Sequence, residues 1–282
     1  GQQSITERLL PLLLSAQPRF VAAQDAAERA VAERAQIDTA RLLPQVARQM
    51  DRLDTYLPAL RTASQIAAIS PVLLGAVRPM NYLLVAQNND ELRPTGGFIS
   101  AAGILTLDKG RIARLDLKDS GSIDNWKRDH PQPPEQLTRF MLSELWVMRD
   151  ANFWPDFPTS ARALDYFAEL DLDLQPDGII AIDQLALQIL VGGLGSVVVP
   201  EYKNDVLTKD NVVSKIRAYW QPSQEFAEGV ESGEVTKWKE WLPWYTERKQ
   251  FMMYLVQAMR SKLEDDPGSI NMAQMGKAVL QA

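Results

Sequence analysis

The hydrophobic pattern changes period along the chain. After Thr39, Leu42, Leu43, Val46, Met50, Leu53 and Leu57 recur at three- and four-residue steps, which places them on one helical face. Ser4-Ile5-Thr6-Glu7 has the form of a capping box, in which the Ser4 and Glu7 side chains each satisfy an orphan donor of a first turn. Beyond Pro18, Ala- and Arg-rich sequence carries no strand signal as far as Ile37. Residues 1–68 are therefore predicted all-helical, either a stalk or a small bundle packed on a folded head.

Residues 80–200 change period. Residues 82–86 (YLLVA) form a continuous apolar run suited to a buried strand, and 98–107 (FISAAGILTL) a second one. Asp108-Lys109-Gly110 reads as a turn with glycine where φ is positive, and 111–117 (RIARLDL) as the returning strand with one wet face. Pro133-Pro134 opens a predicted helix with a stripe of Leu137, Met141, Leu145 and Met148. Thr159 or Ser160 is predicted to cap another helix that turns Leu164 and Phe167 inward. A strand at 179–182, a helix at 184–191 capped by Asp183 and stopped by Gly192-Gly193, and a strand at 196–199 follow. Thr208 is read as the cap of a helix carrying Val212, Val213, Ile216 and Tyr219. Residues 221–233 read as a polar loop, and a long helix with Trp238, Trp241, Trp244 and Tyr245 comes after it. Those aromatics are either packing or an exposed patch for sugars or lipid. Residues 272–280 read as an unfinished helix, as in a fragment of a longer protein. The expected fold class is α/β: a mixed sheet flanked by helices over 69–282, behind the all-helical 1–68.

Composition narrows the chemistry. The 282 residues contain no cysteine and one histidine, His130, which excludes disulfides and thiol nucleophiles and argues against a Ser-His-Asp triad or a two-His metal site. A net charge of −6 argues against a nucleic-acid partner, which requires a concentrated basic face. Residues 179–199 are long enough to span a bilayer, but Asp183, Gln184, Gln188 and the glycines at 192, 193 and 195 fit strand, helix and strand better.

Three loops could carry chemistry. Asn88-Asn89-Asp90-Glu91-Leu92-Arg93-Pro94-Thr95-Gly96-Gly97 follows a buried strand, the usual ligand position of an α/β sheet. Arg93 offers a planar donor fork for phosphate or carboxylate, and Gly96-Gly97 lets backbone amides approach an anion. Alternatively Arg93 pairs with Asp90 or Glu91 in a structural turn. Lys118-Asp119-Ser120-Gly121-Ser122-Ile123-Asp124 follows another strand, and Asp119 with Asp124 could hold a hard cation such as Mg²⁺ unless both are solvated turn acids. Arg149-Asp150-Ala151-Asn152-Phe153-Trp154-Pro155-Asp156 is a loop stiffened by aromatics and prolines, as a preorganised ligand site must be, or a plug over the core.

The runs NNDELRPTGGF at 88–98, NFWPDFP at 152–158 and DGIIAID at 177–183 resemble a bacterial envelope family, the domain of unknown function numbered four thousand and twelve. The resemblance covers residues 80–220. It implies a membrane-anchored protein whose transmembrane segment lies outside this chain and whose domain is extracytoplasmic, on the outer face of the bacterial cytoplasmic membrane. The order of elements is also similar to the LytR-CpsA-Psr phosphotransferases, which attach polyprenyl-pyrophosphate-linked glycopolymers to the wall with Mg²⁺. That similarity implies a LytR-CpsA-Psr-like fold and a phosphorylated glycan or polyprenyl-linked ligand. Arg93 would neutralise phosphate, Asp119 with Asp124 or Asp156 would hold Mg²⁺, and Lys118 would assist at the developing charge. Asn88 or Asn89 stands where those enzymes have an aspartate, Pro94-Thr95 replaces another, and Lys118 replaces an arginine, so metal binding is weakened. The second expectation is a non-catalytic structural or adaptor domain with protein partners through 1–68.

Overall fold

The computed structural model describes residues 5–202, 204–220, 228, 232 and 238–270, with 5, 6, 238–249 and 267 described by their backbone alone. The Ser4–Glu7 capping box, most of the polar 221–233 stretch, the side chains of Trp238, Trp241, Trp244 and Tyr245, and the 272–280 helix lie outside the described residues. The chain divides into two compact units, one of residues 3–80 with 107–113, the other of 81–106 and the residues from 114 on.

The first unit is a helical hairpin of α1 (Ile5–Ala35) and α2 (Pro44–Leu73). Gln17 Nε2 donates to the Ala68 carbonyl at 3.2 Å, and Arg34 pairs with Asp54 at 2.6 Å, so the helices run antiparallel. The helix predicted from Thr39 starts later. Asp38 accepts from the Ala40 N–H and holds residues 39–41 in a 3₁₀ turn, and Pro44 then sits in the first turn of α2, where its missing N–H costs nothing. The predicted apolar face is largely open, with Leu43 74% and Leu53 43% exposed, because a single partner helix covers only a narrow stripe.

The second unit is built on a four-stranded sheet in the order β3-β2-β1-β4: β1 Met80–Asn88, β2 Phe98–Asp108, β3 Arg111–Asp119 and β4 Gly178–Ile182. β1 and β4 are parallel, with Tyr82 opposite Gly178 and Ala86 opposite Ile182. Ser100 Oγ donates to the Ala86 carbonyl and Thr106 to Asn81 Oδ1, so β2 runs back along β1. The β2–β3 turn has Lys109 at φ 51° and Gly110 at φ 79°, the two positive values of a tight hairpin turn. Gly103 allows the strands to approach, since a Cβ there would meet the Asp116 carbonyl oxygen at 1.8 Å.

Both sheet faces are covered, which is why β1 reads as an unbroken apolar run. Leu83, Val85, Ile99 and Ala102 pack on Ala163, Leu164, Phe167 and Ala168 of α4 (Phe157–Leu172). Leu84, Ala101 and Leu117 face the other way, toward Ile180, Ile182 and Val256. Helix α3 (Glu135–Met141) is shorter than its predicted stripe. Leu142 turns left-handed at φ 54°, which leaves Leu145 and Met148 off the helix. Asp156, not Thr159 or Ser160, caps α4.

The 179–199 run forms the end of β4, then α5 (Gln184–Leu194) and β5 (Ser196–Val199), and no described helix is long and apolar enough to cross a membrane. β5 pairs antiparallel with β6 (Asp205–Thr208), a strand the sequence reading missed, so Thr208 ends a strand instead of capping a helix. Helices α6 (Val212–Trp220) and α7 (Trp238–Asp265) follow. Because β2 alone is reversed, the carboxyl ends of β1, β3 and β4 share one edge of the sheet.

Candidate functional site

The loop after β1 is folded onto its own beginning. Asn88 Oδ1 accepts from the Asp90 N–H, Asn88 Nδ2 donates to Glu91, and the Phe98 N–H donates to the Glu91 carbonyl. Gly97, at φ 115°, is glycine for a local reason: a Cβ there would lie 2.1 Å from the Asn88 carbonyl oxygen. Gly96 has φ 117° and faces the Gln87 side chain. Both glycines thus close the loop.

Asn88 and Asn89 join this loop to the start of α5. Gln184 Nε2 donates to Asn88 Oδ1 at 2.6 Å, Asn89 Oδ1 accepts from the Gln184 N–H at 2.8 Å, and Asn89 Nδ2 donates to Asp183 at 3.1 Å. Asp183 caps α5 through the Ala186 N–H, as its position predicts. Arg217 holds Asp90 with two donors, at 2.8 and 2.5 Å, and this hydrogen bonding lowers the Asp90 carboxyl pKa. Gln184 and Arg217 carried no sequence signal that linked them to residue 90.

Arg93 is three parts structure. Its Nη1 donates to the Leu92 carbonyl at 3.0 Å, its guanidinium lies 5.4 Å from the Phe98 ring centre, and Nη2 is 3.7 Å from Asp150 Oδ1. The expected partners Asp90 and Glu91 are not the ones it meets. Asp150 is 13% exposed at its side chain, and burial raises its pKa against the opposing pull of Arg93 and Arg149. Asn152 is fully buried and donates to the Pro94 and Gly97 carbonyls at 3.2 and 2.7 Å. These contacts bring the 148–156 loop against the 89–97 loop.

Other expected site residues are occupied elsewhere. Lys118 is half exposed, with Nζ 3.9 Å from Asp116. Asp119 accepts from the Gly121 N–H and starts the 120–122 turn. Asp156, predicted as a ligand group, accepts from the Thr159 N–H and hydroxyl, which lowers its pKa. Asp124 sits with His130 and Asp171, their ligand atoms within 4.8 Å of one another. Burial pushes the Asp124 carboxyl up, with Arg149 opposing and Asp171 reinforcing.

Arg149 is different. It is half-buried, it feels both Asp124 and Asp150, and it makes no hydrogen bond or close ion pair among the described residues. Its Nη1 is 3.6 Å from where a Cβ on Gly121 would stand, and Asp119 Oδ1 is 3.2 Å from the same point. The fork of Arg149 donors and the Asp119 carboxylate thus both stand beside Gly121.

Half of the chain, residues 78–219, matches the family model described as "Protein of unknown function (DUF4012)". No curated protein and no solved structure matches the chain.

Proposed function

The chain belongs to the DUF4012 family, and we propose that this member binds a phosphorylated or carboxylated ligand at the carboxyl edge of its sheet, through Arg149 with Arg93 beside it. The observation that carries this reading is the half-buried guanidinium of Arg149, which pulls on the carboxyls of both Asp124 and Asp150 and makes no hydrogen bond to either. Arg93, which also faces Asp150, has its Nε buried without a hydrogen-bond partner, a donor that is costly to leave unmade. Burial raises the pKa of Asp150 and of Asp124, with Arg149 opposing the shift at both and Arg93 at Asp150. An anion with paired oxygens suits guanidinium groups so placed, and a bidentate arginine contact supplies both strength and orientation.

The order of elements read from the sequence, which resembles that of the LytR-CpsA-Psr phosphotransferases, favours a lipid-linked or glycan phosphate as the natural ligand, with the domain on the extracytoplasmic face of a bacterial membrane and a tether outside this chain. Binding is better supported than transfer. Lys118 faces Asp116 on its own strand, Asp119 caps the turn that follows it, and Asp124 groups with His130 and Asp171. These contacts lend no support to Mg²⁺ at Asp119 and Asp124.

A second reading, a non-catalytic structural or adaptor domain, draws support from Asn88, Asn89 and Asn152, whose side chains tie loops together. Titration calorimetry with a soluble polyprenyl pyrophosphate analogue and with a uronic-acid oligosaccharide separates the two. Saturable binding of either, weakened in Arg149→Lys, supports the ligand site, and absence of heat with both favours the adaptor.

A further inference from the structure

Asp124, His130 and Asp171 form a second cluster of titratable groups, and the anion site leaves all three unused. The His130 side chain is 2% exposed and that of Asp171 0%, while Asp124 as a residue is 7% exposed. His130 Nδ1 lies 3.1 Å from the Arg128 carbonyl oxygen, which can only accept, so Nδ1 carries a proton. Nε2 faces Asp171 Oδ1 at 3.1 Å, an oxygen that already accepts the Asn125 N–H at 2.9 Å. Asp171 Oδ2 is buried without a hydrogen-bond partner, and neither oxygen of Asp124 is met in hydrogen-bonding geometry, although the Met148 N–H lies near enough to favour its charged form. Lone pairs outnumber protons here, and the surplus must be met by a proton or a cation.

We infer that Asp124, His130 and Asp171 bind one first-row divalent transition ion, Zn²⁺ in the first instance, through His130 Nε2 and one oxygen of each carboxylate. An imidazole with two carboxylates suits Zn²⁺ or its neighbours, whereas Mg²⁺ takes oxygen ligands and keeps its waters. Ligand atoms about 2.0–2.2 Å from a tetrahedral ion stand roughly 3.3 Å apart, near the 3.1 Å between Nε2 and Asp171 Oδ1. The Nδ1–H to Arg128 carbonyl contact is the kind of outer hydrogen bond that fixes the tautomer and aims the ligating nitrogen. Trp126 and Phe167 flank the ring, at 5.5 and 6.4 Å between centroids, and hold its plane. The inference does not rest on the anion site, and either can fail alone.

The test uses the full 282-residue chain without an affinity tag, so that His130 is its single imidazole. After equilibration with Zn²⁺ and dialysis, wild type should retain one ion per chain, and Asp124→Asn at least tenfold less tightly. Asp116→Asn, a surface control, should retain it as wild type does. Long-range proton–nitrogen NMR of the lone imidazole reads the site directly, even where Asp124→Asn fails to fold. Zn²⁺ should move the Nε2 resonance and leave Nδ1 protonated. Equal zinc content in wild type and Asp124→Asn, or an Nε2 signal indifferent to Zn²⁺, would overturn the metal site and leave a proton shared between His130 and Asp171.

Discussion

Asn152 Nδ2 donates to the Gly97 carbonyl at 2.7 Å, joining two loops whose linked residues are 55 positions apart in sequence. The same amide group reaches the Pro94 carbonyl at 3.2 Å. The position of Arg93 relative to Asp150 depends on this link, because each residue lies on one of the two loops. Asn152→Ala leaves two carbonyls short of a donor in a buried place and should cost about 1–3 kcal/mol of unfolding free energy. Urea denaturation measures it, and a loss below a few tenths would show that the loops are held without Asn152.

Gly97→Ala should be at least as damaging. A methyl group at a φ of 115° strains the backbone and collides with the Asn88 carbonyl oxygen at 2.1 Å. The expected loss is about 3 kcal/mol, seen as a lowered Tm. Unchanged stability would mean that the loop after β1 can adopt another path.

Much of the sheet was legible because its signals are local. The 82–86 run, the Lys109-Gly110 turn and the Asp183 cap each depend on neighbours within a few residues. The α4 cap lies three residues before Thr159 and four before Ser160, both good capping residue types, and only the fold shows the Thr159 N–H turned to Asp156. β6 is four residues long and pairs with an equally short β5, too little for periodicity to register.

The site was less legible. Asn88, Asn89 and Asp156 are residue types that suit ligands and suit caps equally, and long-range geometry decides between the two uses. Arg149 stands out only once Asp124 and Asp150, from either side in sequence, are seen to approach it. His130 was marked by being the lone histidine, but Asp171 lies 41 residues away and nothing local connects them.

Asp150 gives the pH dependence an unusual sign. Burial raises its folded-state pKa above the ordinary carboxyl value, so the native state holds this proton more tightly than the unfolded chain. Its contribution to stability is therefore greatest below the unfolded pKa and declines as pH rises through the folded one. Asp150→Asn cannot titrate. Between about pH 4 and 7, the difference in unfolding free energy, variant minus wild type, should grow with pH. A difference that shrinks over that window would mean that Arg93 and Arg149 outweigh burial and lower this pKa.

Calorimetric titration of inorganic pyrophosphate into wild type, Arg149→Lys and Arg149→Ala tests the anion site most directly. Thermal melts without ligand check that the variants remain folded. Wild type should bind saturably. Arg149→Lys should bind at least tenfold more weakly because the planar fork is lost while the charge remains, and Arg149→Ala more weakly still. All three proteins should melt within a few degrees of one another, since Arg149 makes no hydrogen bond among the described residues. Equal affinity in wild type and Arg149→Ala, or no binding by wild type at millimolar pyrophosphate, would contradict an anion site at Arg149.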